Sequence, residues 1–406
     1  MVAVSLPSTF MELAQRIGCT RYPQRWNTLY DDCLTEFQKN GCPYTDPAYY
    51  SQLNEQFGIL SDDLPLYQEA ATAVGKDQDL SLFLAVLCRA LQDREHHKQD
   101  LAEFSMPYRE HNLAYCMLCG LAAASEAPMC HRILSQRSLP KDIVDNVMKM
   151  PEWGVQFYRL RHKGANGYSL LDWYQLAIDG HLFSLGRLTF EIFVNFTGRA
   201  CVFENKNGER IALAHNIPLH SDGVALGSAG YHDATGSFTP VIEEFEDHWI
   251  GCPIHIDGTV SRNSIILQKD QWKKILSHGD SVVSIHIPTG SSLAPDAVES
   301  SIAAARAFLS EYFPDYDYRA FVCHSWLMDP QLIQLLGSDS NIAKFNSRFD
   351  KLPRRSEGKD VFSFVFLKPD NNFDLRTLPE RTTLERKLKD HYLAGKYIYE
   401  LIGYFF

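Results

Sequence analysis

The chain has 406 residues and a formal net charge of −11, with 45% hydrophobic and 22% charged residues. That length allows roughly two to three domains, and the composition is that of a globular chain with a substantial core. The acidic balance and the lack of a basic run argue against nucleic acid or an anionic membrane surface as the main partner, while leaving room for a local basic pocket around a phosphate.

The opening run, MVAVSLPSTFMELAQ, lacks the basic start and long apolar core of a secretory leader. No uninterrupted apolar run reaches the roughly 18 residues that span a bilayer, so no membrane partner is expected. Ten cysteines are scattered without a disulfide-like framework, which points to a reducing cytoplasm.

Residues 1–150 read as an all-helical N-terminal domain. Phe10, Leu13 and Ile17, then Leu29, Cys33 and Phe37, fall at helical spacing, and prolines punctuate the later apolar runs. Cys116, Cys119, Cys130 and His131 have a spacing that suits zinc. The first two, however, lie inside the apolar run AYCMLCGLAAA, where cysteine behaves as a small hydrophobe.

Composition shifts near Pro151, and residues 151–406 form the second domain. Trp153–Arg161 alternates as a strand does, Ser169–Ile178 reads as a short helix, and Gly186–Phe196 as a strand. Ala200–Ala214 reads as a hairpin turning at Lys206, Asn207 and Gly208. Residues 214–260 hold two His-x-Asp triplets, His220–Asp222 and His255–Asp257, whose members share a face if the backbone is extended. With a further histidine such as His215, His232 or His248, they give a candidate non-haem metal set. Solvated or locally hydrogen-bonded loop histidines explain the same residues.

Gln271–Leu276 reads as a short helix. The stretch that follows organises the domain. Ser281–Ile287 is a β-branched strand, Thr289–Ser292 a small hydroxylated loop with Gly290, and Pro295 and Asp296 open a helix. Amide N–H groups at such a loop and helix start suit an anion, of which the coenzyme A pyrophosphate is one; an ordinary βα unit without ligand has the same pattern. Tyr318–Leu327 and Val361–Leu367 read as further strands. Helices begin at Asp329-Pro330 and Ser340, and Leu375 to the C-terminus reads as a charged helix followed by an aromatic tail that docks on the core.

The element order, and more closely the stretches HIPTGSSLAPDAVESSIAAARAFL and FVCHSWLMDPQLIQLLGSDSNIAKFNSRF, resemble a bacterial group of GNAT-like acyltransferase-domain proteins. The resemblance implies an α+β fold: a GNAT-like mixed, mostly antiparallel sheet flanked by helices, preceded by the helical domain. It implies acetyl-CoA or another acyl-CoA as co-substrate, and a small-molecule amine or exposed amino group as acceptor. By the same resemblance, the strand holding Ile285 and Ile287 lies along pantetheine. Thr289, Gly290, Ser291 and Ser292 form the pyrophosphate loop, and the helix begun by Asn341 packs beside the thiol end. Of the family's usual loop pattern, [QR]-x-x-G-x-[GA], only Gly290 is present. Phe345 lies where a tyrosine would be sought.

Amide formation from a thioester needs a base for the amine proton, a donor for the carbonyl oxygen and a proton for the leaving thiolate. His286 and Glu191 are the candidate bases, each with a structural alternative as a bonded core histidine or a solvent-facing charge. Ser325 is the candidate thiolate donor. Alternation puts Cys323 and Ser325 on one face of their strand and His324 on the other, so no Cys–His nucleophile pair is expected. The resemblance implies direct transfer between bound substrates, without a covalent enzyme intermediate, and this is the leading reading. The rivals are a metal enzyme built on residues 215–257 and a catalytically inactive coenzyme A-binding or regulatory module.

Overall fold

The computed structural model describes residues 5–368 and 373–406. The first residues of the opening run, 1–4, and residues 369–372 lie outside that description. The chain divides into two compact units, Met1–Phe183 and Ser184–Phe406.

The first unit is helical: α1 Phe10–Ile17, α2 Trp26–Asn40, α3 Pro47–Phe57, α4 Leu64–Gly75, α5 Gln78–Gln92, α6 His97–Glu103, α7 Leu113–Ser125, α8 Ala127–Gln136, α9 Lys141–Met148, α10 Met150–Arg161 and α11 Leu171–Ile178. Side-chain caps start several of them, as where the Thr9 hydroxyl accepts from the Glu12 amide at 3.2 Å. Its core is built on α5 and α7, where Phe83, Leu87, Met117 and Leu121 are fully buried. Leu113–Gln136 is long and apolar enough to cross a membrane by length and composition, and 78% of its most apolar window is buried. It is accounted for as core, its apolar surface covered by neighbouring helices.

One expectation fails here. Trp153–Arg161 is not a strand but most of α10. Pro151 and Glu152 in its first turn and Arg159 and Arg161 in its last are helix-end signals that outweigh the alternation. The helical region therefore continues past Pro151, and the compact units divide after Phe183.

Among the described residues the second unit holds three sheets, the first strand beginning two residues before its boundary. The strands are β1 Leu182–Leu185, β2 Leu188–Asn195, β3 Ala200–Asn205, β4 Arg210–Ala214, β5 Glu243–Glu244, β6 His248–Gly251, β7 Ile265–Gln268, β8 Trp272–Leu276, β9 Ser281–His286, β10 Phe321–Ser325, β11 Asp350–Leu352 and β12 Leu401–Phe405. The main sheet has the order β1-β2-β9-β10-β12-β11. It is mixed and mostly antiparallel, with β9 and β10 its parallel pair. Helix α12, Pro295–Tyr312, makes the crossover between them, as a parallel pair requires. Smaller sheets have the orders β4-β3-β8 and β5-β6-β7.

The two faces of the main sheet differ. Val282, Val322, Ile402 and Tyr404 pack with Val202, Ala212 and Leu276 of the β4-β3-β8 sheet. Residues of opposite parity, among them Val283, Ile285, Phe321 and Cys323, are buried on the other face. There Ser301 of α12 accepts from the Leu188 amide at 3.0 Å.

Among the described residues the unit holds four more helices, α13 Gln331–Leu336, α14 Asn341–Ser347, α15 Asp360–Phe364 and α16 Thr383–Leu393. Two further expectations are corrected here. Gln271–Leu276 is strand β8, paired with β3, and the alternation of Trp272, Lys274 and Leu276 was its signal. Val361–Leu367 falls in α15 and the turn after it, where Phe362 packs its ring on Tyr392 and Phe373, and this packing overrides the strand preference of VFSFVF. The aromatic tail does dock on the core, as β12 between β10 and β11.

Candidate active site

Strand β2 pairs with β9 so that Thr189 faces His286, Phe190 faces Ile285 and Glu191 faces Ser284; the register then slips between Glu191 and Val194. Phe193 has φ 60° at that bulge, and a bulge bends a strand and re-aims its side chains. On the other side, β9 pairs with β10 only at Val283–Phe321 and Ser284–Val322. Beyond Ser284 the two parallel strands part. A cleft of about 200 Å³ opens there, lined by Glu191, Asn195, Ser284, His286, Val322 and His324 among others.

His286 and Glu191, named from the sequence as alternative bases, come together. His286 Nε2 lies 2.8 Å from Glu191 Oε2. Both are partly buried, with side-chain exposures of 27% and 22%. His324 lines the same cleft, and Arg354 Nη1 lies 3.2 Å from its Nδ1. Arg354 in turn donates to Glu400 Oε1 at 2.8 Å. Burial, then the positive charge of Arg354 and the nearness of His286, push His324 down to about 4, with Glu191 acting the other way.

Ser325 is not brought into this cleft. Its hydroxyl accepts from the Leu327 amide at 3.1 Å and caps a short 3₁₀ turn, on the strand face opposite His324. Its neighbour Cys323 is buried, and burial pushes its thiol up to about 12, so it is a poor nucleophile at neutral pH.

The loop after β9 is built as a shallow, exposed cradle. Thr289, Gly290, Ser291 and Ser292 are all exposed, and Gly290 has φ 107°. Ser292 ties this loop to two other elements. Its hydroxyl accepts from Asn341 Nδ2 at 2.7 Å, and its carbonyl accepts from Arg187 Nε at 3.1 Å. The Asn341 side chain at the start of α14 thus meets the loop. Arg187, in the β1–β2 turn, is half-buried and lowered by burial. Lys344 of α14 and Arg348, which follows it, line a smaller hollow of about 40 Å³ against Leu293, Pro295 and Val298. The amides of the loop and the first turn of α12, with Arg187 beside them, suit a phosphate.

Residues 215–257 form no comparable centre. His215 Nδ1 accepts from the Ile242 amide at 3.0 Å, and His220 and His248 each lie beside a neighbouring aspartate, Asp222 and Asp247. Among the described residues, no group of three or more His, Cys, Asp or Glu is placed to hold a metal, and the Cys116, Cys119, Cys130 and His131 set does not assemble either.

The mixed, mostly antiparallel sheet flanked by helices is the fold that the resemblance to GNAT-like proteins implies. A family model described as the GNAT-like C-terminal domain matches residues 182–405, more than half of the chain, and the chain belongs to that family. No curated protein matches it. Among solved structures, an acyltransferase in complex with decanoyl-CoA and teicoplanin is similar, with a TM-score of 0.62, 19% identity and 97% of each chain covered. So is an acyltransferase in complex with CoA and 10C-teicoplanin, with a TM-score of 0.62, 18% identity and 97% of each chain covered. A third, in complex with decanoyl-CoA, has a TM-score of 0.56 and 20% identity over 87% of this chain and 86% of its own. At these identities the likeness is one of fold.

Arg187, His324, Arg354 and Glu400 were not named as site residues from the sequence. Arg187 follows Gly186 in a turn far from the loop it meets. For His324 the only signal was its alternation out of phase with Cys323 and Ser325.

Proposed function

We propose that this chain is an acyl-coenzyme A-dependent N-acyltransferase that transfers its acyl group directly to an amine. The observation that carries the reading is the His286–Glu191 contact at the point where β9 and β10 part. The parted strands leave backbone on β9 beyond Ser284 against which the amide-bearing pantetheine arm adds as a strand would. Ile285 and Ile287 lie on that run, Thr289 to Ser292 and Arg187 serve the pyrophosphate, and Asn341 holds the loop from the α14 side. A carboxylate accepts only, so the Nε2–H of His286 donates to Glu191, which puts the lone pair of the neutral ring on Nδ1 as the base for the amine. No covalent enzyme intermediate is needed, in keeping with a Cys323 thiol that burial holds protonated.

Similar folds have been solved with decanoyl-CoA and with teicoplanin, a glycopeptide. That widens the acyl groups to be tried from acetyl to medium chains, and the acceptors from small amines to amino groups on larger natural products. All ten cysteines are free thiols, which fits a reducing compartment, and we place the protein in the cytoplasm.

The test is thermal unfolding with acetyl-, octanoyl- and decanoyl-CoA, followed by thiol release with a panel of amines. A ligand at 100 times its Kd adds about 2.7 kcal/mol of stability, a readily measured rise in melting temperature. Absence of any shift at millimolar coenzyme A and acyl-coenzyme A would overturn the reading.

A further inference from the structure

The cleft holds a second histidine whose partners are the reverse of the first. His286 faces a carboxylate, Glu191, and His324 faces a guanidinium, Arg354. A guanidinium has donors and no acceptor, so His324 Nδ1 must offer its lone pair to Arg354, and the proton of the neutral ring sits on Nε2. Glu400 holds Arg354 in place at 2.8 Å. Burial and the Arg354 charge keep the ring from taking a second proton at neutral pH. The two rings therefore reach the same cleft in opposite tautomers, one carrying its lone pair on Nδ1, the other a fixed Nε2–H.

We infer that His324 is the side-chain donor that holds the thioester carbonyl oxygen during transfer, a role that rests on the acyl-transfer reading above. The amine nitrogen forms its bond to the thioester carbon, and the carbonyl π pair moves onto oxygen, where His324 Nε2–H hydrogen-bonds the developing oxyanion. The pair then returns, the C–S bond breaks, and coenzyme A leaves as its thiolate. The proton lost by the amine passes to His286 and from there to the thiolate. His324 keeps its proton throughout, because losing it from a neutral ring would leave an imidazolate. A neutral imidazole polarises a carbonyl in this way where its environment prevents protonation. Opposite environments on paired titratable groups divide the base and donor roles between them.

The test has two parts, both on the full-length chain. In ¹⁵N-histidine spectra of the unliganded protein, His324 is expected as a single neutral Nε2–H tautomer from pH 6 to 9. The Nδ1–H tautomer, or titration near the ordinary histidine value, overturns the inference whether or not any substrate is known. In steady-state kinetics, His324→Ala is expected to lower kcat by about 10²–10³, the usual cost of one lost oxyanion donor, with the KM for acyl-coenzyme A within about threefold of wild type. His324→Gln, which restores an N–H near the Nε2 position, is expected to recover at least about tenfold of that loss. Melting temperatures identify any variant that does not fold. A kcat for His324→Ala within about threefold of wild type, or a loss confined to KM, overturns the inference while leaving acyl transfer standing. Absence of turnover and of coenzyme A binding in wild type overturns both.

Discussion

Glu191 and His286 are diagonal neighbours on adjacent antiparallel strands, with Oε2 and Nε2 2.8 Å apart. The carboxylate fixes the ring's tautomer and orientation and stabilises the positive charge that forms when the ring takes a proton. His286→Ala is expected to lower kcat by about 10²–10⁴, the usual contribution of a positioned general base, with little change in acyl-coenzyme A affinity. Glu191→Gln removes the charge and keeps the shape, so a smaller loss is expected, on the order of tenfold. Acyl-coenzyme A titrations and steady-state rates on both variants check this; equal kcat in wild type and His286→Ala would remove His286 as the base.

Gly290 has φ 107°, and a Cβ added there would meet nothing within 4 Å. A side chain has room but is forced into a backbone region that L-residues avoid. Gly290→Asp adds a negative charge to that strain, at the loop assigned to the pyrophosphate. Its Kd for coenzyme A is expected to rise at least about tenfold, more than for Gly290→Ala, since hydrogen bonds to charged groups contribute about 1.5–3 kcal/mol. Arg187→Ala is expected to weaken coenzyme A binding by a similar factor and to flatten its dependence on salt. Calorimetric titrations at two ionic strengths measure both. An unchanged Kd in Arg187→Ala would place the phosphates elsewhere.

The organising unit was legible because its signals are local. A β-branched run, a small-residue loop and a Pro-Asp helix start identify β9, Gly290 and α12 without knowledge of the rest of the chain. The single residues His286 and Glu191 were legible as chemistry but not as a pair. They are 95 positions apart, and their meeting depends on the β2–β9 register and the bulge beside Glu191. His324 was passed over because its role is set from outside its strand, by Arg354 and Glu400, which the pairing of β11 and β12 brings alongside. The three misassigned segments, 153–161, 271–276 and 361–367, are short; helix-end charges decided the first and ring packing the third against their local patterns, whereas in 271–276 the alternation already pointed to the strand that pairs with β3.

A pH response belongs to the helical unit. Glu126 is fully buried, and burial raises it to about 7, against the opposing pull of Gln175, whose Nε2 donates to Oε2 at 2.5 Å, and of Arg94. A carboxyl with a folded pKa above its unfolded value binds more protons in the folded state between the two. Its contribution to stability is therefore lost as pH rises from about 4.5 through about 7. The melting temperature of wild type is expected to lose this contribution across that window. Glu126→Gln, uncharged at any pH, should show a smaller decline. Parallel melting curves for the two proteins in that range would refute the assignment.

Gly403 lies at the centre of β12, between Cys323 of β10 and Lys351 of β11. A Cβ there would meet Met328 Sδ at 2.3 Å and Phe349 side-chain atoms at 2.9 and 3.0 Å. The strand needs a glycine here for its close approach and not for its backbone angle. Met328 can swing its sulfur aside, but Phe349 is buried against Phe345 and Phe405, so relief requires moving a packed ring. Gly403→Val is expected to destabilise the protein by about 1–3 kcal/mol, the range for overpacking a core, and Gly403→Ala by less. The register of β12 also sets Ile402 opposite His324 and leads in from Glu400, so a shift of this strand reaches the Arg354–His324 contact. Gly403→Val should therefore lower both the urea midpoint and kcat, whereas a packing change confined to the Met328 side would lower the midpoint alone. Urea unfolding and steady-state rates on the two variants separate these outcomes.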